Sequence, residues 1–221
     1  MSKEAIFEKL KTAVIEMDEG MAVEAATQAV EAGLNAVECI NEGLSAGMQV
    51  MSDLFDEGEA FVPELLMSSE AFEAAVKVLT EHLSNEEKQN SKVGVVVIHT
   101  VHGDIHDIGK NIVKTMFRAN NFEVHDLGRD VPVEDVINKA KEVNADIICG
   151  SALMTTTMPA QREEINLLIE EGIRDKFICM YGGAPVSAEW CEKIGADAYT
   201  ETATEAVVVA KKLIELKKAQ A

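Results

Sequence analysis

Basic residues are scarce in this sequence. Its 221 residues hold 20 lysines and arginines against 39 aspartates and glutamates, a net charge of −19. Nucleic acids and anionic membrane surfaces attract positive charge, so neither is an expected partner. The acidity suits docking on more basic partners, although solubility alone would explain it. Cysteines are few: Cys39, Cys149, Cys179 and Cys191. No two lie close enough to form a Cys-x-x-Cys zinc pair. Cys149 and Cys179 sit in apolar, strand-like runs and are expected to be buried small hydrophobes. No apolar run approaches the ~18 residues of a membrane-spanning helix. The chain opens with a polar, amphipathic segment rather than a signal peptide, so a cytoplasmic location is expected. Two glycine patterns are also missing, Gly-x-Gly-x-x-Gly and Gly-x-x-x-x-Gly-Lys-[Ser/Thr], which removes the phosphate loops of the common nucleotide binders. What remains is 47% apolar residues, enough for a sizeable core.

Residues 1 to about 88 carry no strand pattern. Ile6, Leu10, Val14 and Met17 recur at helical spacing, and Gly20 is expected to end that helix. A second helix runs from about Met21 to Ala32 and stops at Gly33. A third begins near Asn35 and ends near Gly58, with Gly43 and Gly47 four apart for close packing. A fourth begins at Pro63, a first-turn residue, and reaches about Leu83. Four helices with short loops predict a compact bundle over 1–88. The polar segment 84–91 is read as an interdomain linker.

From residue 89 to 221 the rhythm becomes strand then helix. Strands are expected at 93–98, 122–127, 145–150, 177–181 and 197–199. Helices are expected at 107–119, 133–143, 159–171, 187–194 and 203–218. This is the pattern of an α/β, Rossmann-like, doubly wound five-stranded parallel sheet of the flavodoxin-like kind. Ligands of such sheets sit beyond the carboxyl ends of the strands. Three clusters fall there: Asp104-x-His106-x-x-Gly109 after the first strand, Ser151-Ala152-Leu153 after the third, and Gly182-Gly183 after the fourth. An imidazole with a carboxylate two residues away can be oriented and made more basic by it. Gly109 would let a bulky ligand approach the backbone. Each cluster alone has a plain structural reading: a loop His beside a capping Asp, a core Leu, a tight turn.

Taken together, with 110–150 separating the first two clusters and 154–181 the last two, they resemble the signature of the cobalamin-binding domain. That domain occurs in methionine synthase, the carbon-skeleton mutases and the corrinoid proteins of methyl transfer. The resemblance implies cobalamin held base-off/His-on: His106 is the lower cobalt ligand, and Asp104 hydrogen-bonds it. Thr157, in the place of a usual Ser, completes a relay. It implies further that Gly103, Asp107, Ile108 and Gly109 form the loop around the cofactor. Ser151 and Leu153 then line the channel for its nucleotide tail, Thr155 is a further cofactor-binding residue, and Gly182 and Gly183 leave room for the buried base. His99 and His102 are read as structural or surface residues, and His82 and His125 as surface residues.

The helical half resembles the cap that precedes this domain in methionine synthase, with Phe55, Val62 and Leu65 as expected covering side chains. The segments Gly128-Arg129-Asp130-Val131-Pro132, Gly150–Met158 and Gly182-Gly183-Ala184-Pro185-Val186 resemble the methylamine corrinoid proteins of methanogens and their bacterial relatives. The trimethylamine and dimethylamine types are the nearest in pattern. The resemblance implies a methyl carrier, not catalytic alone, working through methylcobalamin. Its implied partners are a substrate-specific amine:corrinoid methyltransferase, a second methyltransferase serving coenzyme M or tetrahydrofolate, and a reductive activation protein. Rival readings are a cobalamin-dependent sensor or regulator, and a small subunit of an adenosylcobalamin mutase.

Overall fold

The computed structural model describes residues 2–81 and 92–220. The expected linker 84–91, the boundary at 88/89 and His82 lie outside the described residues. The chain divides into two compact units. One holds the described residues up to Val93 together with Arg118–Asn121, and the other holds Gly94–Phe117 and Phe122 onward.

The first unit is helical. Helix α1 spans Lys3–Ile15 and α2 Glu19–Glu31. The break between them is not at Gly20, as expected, but at Met17 and Asp18. Met17 takes φ 57°, and the Asp18 carboxylate accepts the Met21 N–H at 2.8 Å, so Gly20 falls in the first turn of α2. A side-chain acceptor at a helix start satisfies an otherwise orphaned donor, and this outweighs the breaking tendency of one glycine. Asn35 caps α3 (Ala36–Glu38) in the same way. That helix runs through a π-helical segment, Cys39–Leu44, into α4 (Ser45–Asp56), so the expected third helix is continuous but not uniformly α. Gly43 and Gly47 do allow a close approach. A Cβ at Gly47 would lie 2.7 Å from the Lys11 carbonyl oxygen, and one at Gly43 3.0 Å from Leu10 Cβ. Helix α5 (Val62–Thr80) places Pro63 in its first turn, and the Glu64 side chain accepts from the Phe61 N–H. Ile6, Leu10, Val14, Ala22, Ala26, Ile40, Leu44, Met48 and Phe72 are buried in this unit.

The second unit is the parallel sheet. Strands β1 (Val95–Thr100), β2 (Glu123–Asp126), β3 (Ile147–Ser151), β4 (Ile178–Gly182) and β5 (Ala198–Tyr199) pair in the order β2-β1-β3-β4-β5, all parallel. Helices α6 (Ile108–Ala119), α7 (Val133–Glu142), α8 (Pro159–Glu170), α9 (Ala188–Ile194) and α10 (Ala203–Gln220) alternate with them. Every residue of β1 is buried, on both faces of the sheet, which is why Val95–Ile98 is an unbroken apolar run rather than an alternating one. One face is closed: Val95, Val97, Ile148, Cys179 and Tyr181 pack with Val136, Ile165, Leu168 and Cys191 from α7, α8 and α9. The other face meets α6, through Lys110 and Lys114 on Asp126, and α10, whose Ile214 lies where a Cβ at Gly94 would be.

Cys149 corrects an expectation. It lies on this second face and is only partly buried, unlike Cys179. Its surroundings are nonetheless poor in water, and burial, then the charge of Glu164, pushes its thiol up to about 12. A thiol so shifted is not a reactive one.

Candidate functional site

The sheet order reverses direction between β1 and β3, so the connections leaving these two strands go to opposite faces. That creates a crevice at their carboxyl ends. The loop after β1 and the loop after β3 both open on it. In register, Thr100 of β1 sits beside Ser151 of β3, which sits beside Gly182 of β4. The three sequence clusters are therefore brought together by the fold.

Asp104 is the hub. Its side chain is fully buried. Oδ1 accepts from the His106 backbone N–H at 3.0 Å and lies 2.8 Å from His106 Nδ1. Oδ2 accepts from the Leu153 N–H at 2.7 Å and the Thr157 hydroxyl at 2.8 Å. Burial alone would raise this carboxyl. The bonds from the His106 N–H, Thr157, Leu153 and the His106 ring together outweigh it and hold Asp104 well below the usual carboxylate range. A carboxylate that stays ionised is an acceptor only, so His106 gives it Nδ1–H. The imidazole lone pair is then on Nε2, which has no hydrogen-bond partner among the described residues, and the ring is about half exposed. The Thr157 hydroxyl also lies 2.9 Å from the Met154 carbonyl. Its single proton serves one of these two acceptors at a time.

The loop carrying His106 is fixed from outside as well. Gly103 has φ 81°, and its N–H donates to Asp130 Oδ1 at 2.7 Å. The Asp130 N–H donates to the Asp104 carbonyl at 2.9 Å, and His102 pairs with Asp130. Asp130 was noted in the sequence without a role; its contribution depends on a contact from the β2–α7 loop. The Leu153 backbone donor was also missed, since side-chain identity does not reveal it. The Leu153 side chain itself is exposed, as are Ile105, Ile108 and Met154. Four exposed apolar side chains around one imidazole form a surface suited to a large flat apolar ligand. Thr155 and Gly109 are exposed, and Asp107 is half-buried.

The two glycines at the end of β4 differ. A Cβ at Gly182 would meet only the Thr200 carbonyl oxygen at 3.9 Å, so space is open there. A Cβ at Gly183 would lie 1.8 Å from the Ala152 carbonyl oxygen, and Gly183 has φ 120°. Gly183 is thus glycine because the β3 and β4 loops touch at that point, whereas only Gly182 leaves room for a ligand. Ser151, Gly182 and Cys149 are all half-exposed on one face of a sheet otherwise well covered. In the helical unit, Phe55 and Val62 are half-buried and Leu65 is fully buried.

Among the described residues no three His, Cys, Asp or Glu side chains converge on a metal position. The His106 imidazole, held by the buried Asp104 carboxylate with Nε2 open, suits a metal that arrives with its other ligands already in place. No helix among them is long and apolar enough to cross a membrane.

Comparison with known proteins gives the following. Residues 94–209 match the B12 binding domain family, and residues 6–80 match a second B12 binding domain family. Dimethylamine corrinoid protein 1 of Methanosarcina acetivorans is 50% identical over 214 residues, covering 97% of this chain and 100% of that protein. Trimethylamine corrinoid protein 1 of the same organism is 46% identical over 206 residues, covering 93% and 95%. The crystal structure of the methanol:cobalamin methyltransferase complex MtaBC from Methanosarcina barkeri superposes with a TM-score of 0.81 at 36% identity. It covers 97% of this chain and 81% of that one.

Proposed function

The chain belongs to the B12-binding corrinoid proteins, and from that premise we propose that it is a methyl carrier serving separate methyltransferases. The observation that carries this is the His106–Asp104 pair: an imidazole with Nδ1 tied to a buried, ionised carboxylate and Nε2 left open toward solvent. Cobalamin, when bound, supplies cobalt that can take up a methyl group and give it up again. His106 Nε2 would hold the cobalt, in the base-off/His-on mode. Ser151, Leu153 and Gly182 would line the channel for the nucleotide tail, with Gly103, Asp107, Ile108 and Thr155 bordering the ring. The half-open sheet face at Cys149, Ser151 and Gly182 supports that assignment.

Asp104 acts by orientation. Because it stays ionised, a proton taken up on release of the ligand bond would rest on His106 Nε2, and Asp104 would steady the resulting imidazolium. Thr157 can turn its hydroxyl between Asp104 and the Met154 carbonyl as that charge changes. The covering role expected of Phe55 and Val62 belongs to the same proposal; the complete burial of Leu65 favours a core role for that residue.

The names of the relatives favour a di- or trimethylamine as methyl source, delivered by an amine:corrinoid methyltransferase. A second methyltransferase would pass the group to coenzyme M or tetrahydrofolate, and a reductive activation protein would restore the carrier after oxidation. The test is the absorption spectrum of the reduced holoprotein with a methylamine-specific methyltransferase and each amine in turn. A spectral change that depends on both donor and methyltransferase is expected. Tight binding of adenosylcobalamin with no uptake from any donor would favour a sensor or a mutase subunit instead.

A further inference from the structure

A buried polar group lies directly behind the site, on the opposite face of the sheet and one residue earlier in register. There His99 of β1, Gly150 of β3 and Tyr181 of β4 sit side by side. A Cβ at Gly150 would be 2.8 Å from the Tyr181 ring and 3.1 Å from the His99 ring, so both rings occupy the space a side chain would take. They reach the same carboxylate on α8. His99 Nε2 is 2.7 Å from Glu164 Oε1, and the Tyr181 hydroxyl donates to Glu164 Oε2 at 2.9 Å. Burial, then the charge of Glu164, raises the Tyr181 hydroxyl well above its ordinary range, so it remains a donor. His99 and Glu164 are fully buried, and His99 Nδ1 has no partner.

One turn before Glu164 stands Gln161, also fully buried. Its Nε2 donates to two carbonyls, Gly150 and Gly182, each at 3.3 Å. Its Oε1 accepts the Trp190 indole N–H at 2.9 Å, and the Arg162 guanidinium lies 4.8 Å from the Trp190 ring centre. The two carbonyls belong to the residues just before Ser151 and Gly183. The Gly182 carbonyl also accepts the Ala152 N–H at 3.0 Å, so Gln161 adds a side-chain tie to strand ends that are otherwise joined through the backbone. A buried, unpaired imidazole nitrogen and a buried carboxylate add little stability over an apolar core, but such groups accept only one arrangement of their neighbours.

We propose that Gln161 is a positioning residue: by bonding the ends of β3 and β4 from behind, it fixes the paired strand ends whose Ser151 and Gly182 border, on the opposite face, the space for the nucleotide tail of cobalamin. Gln161 is itself fully buried and would act through these strand ends rather than by contact with the cofactor. The His99–Glu164–Tyr181 group fixes the α8 turn from which it acts, and Trp190 fixes its amide. This rests on the tail-channel reading of Ser151 and Gly182.

The test compares two probes on the full-length apoprotein by calorimetry: cobalamin, and cobinamide, which has the corrin ring without the nucleotide tail. The wild type should bind cobalamin more tightly than cobinamide. Gln161→Met keeps the volume and removes the donors. It should lower cobalamin affinity about tenfold and change cobinamide affinity less than about twofold. Trp190→Phe, which removes the donor to Gln161 together with part of the ring beside Arg162, should move the two affinities the same way by a smaller factor, and it carries the test if Gln161→Met does not fold. A wild type that discriminates, with variants that lose both ligands equally or neither, overturns the role of Gln161. A wild type that binds both probes alike overturns the tail channel itself.

Discussion

Replacing Asp104 by Asn should damage the apoprotein as well as any cofactor complex. The carboxylate accepts from two backbone N–H groups, one hydroxyl and one imidazole, in a fully buried position. An amide has one oxygen. With that oxygen toward His106, the amide N–H₂ faces the Leu153 N–H; flipped, it faces the His106 N–H. Thr157 can turn to accept, and His106 can change tautomer, but one buried backbone donor is orphaned in either orientation. An orphaned buried donor costs roughly 1–3 kcal/mol, and bonds to an ionised acceptor are worth more than neutral ones. The expected loss is therefore about 2–4 kcal/mol, read as a lower urea midpoint at an unchanged m-value. The pH dependence has a definite sign. The folded-state pKa of Asp104 is lowered, so its contribution is complete above the unfolded value of about 3.9 and is lost as pH falls below it. The gap between wild type and Asp104→Asn should close in acid. A cost under about 0.5 kcal/mol at pH 7, or a gap that does not narrow, would refute the hub role; the first limit is the usual range for a plain surface substitution.

Four further outcomes are expected. Gly183→Ala should cost more than about 3 kcal/mol, since it adds strain at positive φ to a collision with Ala152, measured by thermal unfolding. Gly182→Ala should leave apoprotein unfolding nearly unchanged yet weaken cobalamin binding in a titration. Asp126, paired with Lys110 and Lys114, has its carboxyl pulled down to about 2: burial opposes this, and the Lys110 and Lys114 bonds override it. Its contribution is present above about 3.9 and lost toward pH 2, so the deficit of Asp126→Asn should be largest near neutrality and fade in acid. Leu65→Ala should cost about 2–5 kcal/mol in apoprotein unfolding, as a cavity in the helical unit rather than a loss at the cofactor.

Much of this was legible in the residues because the relevant physics is local. The apolar run Val93–Ile98 and the run Ala145–Gly150 announce buried parallel strands, and β1 and β3 begin within two residues of those positions. His106, Ser151 and Gly182 could be placed together because ligand loops in a doubly wound sheet share one end. What escaped was long-range or backbone-borne. Nothing about Glu164 in sequence announces that His99, 65 residues earlier, will bond it. Leu153 acts through an N–H that any residue but proline would supply. Gly182 and Gly183 look equivalent until the Ala152 carbonyl is found against only one of them. The breaking tendency of Gly20 is overridden by the cap at Asp18, whose bond to the Met21 N–H sets the start of α2.

The central claim is that His106 Nε2 holds the cobalt. Electron paramagnetic resonance of the cobalt(II) holoprotein, prepared with and without ¹⁵N-histidine, tests it most directly. The claim predicts superhyperfine splitting from one nitrogen, altered by the label and absent in His106→Ala. Splitting that ignores the label would assign the lower ligand to the cofactor's own base. Label-dependent splitting that survives in His106→Ala would assign it to another histidine, and either result contradicts the account.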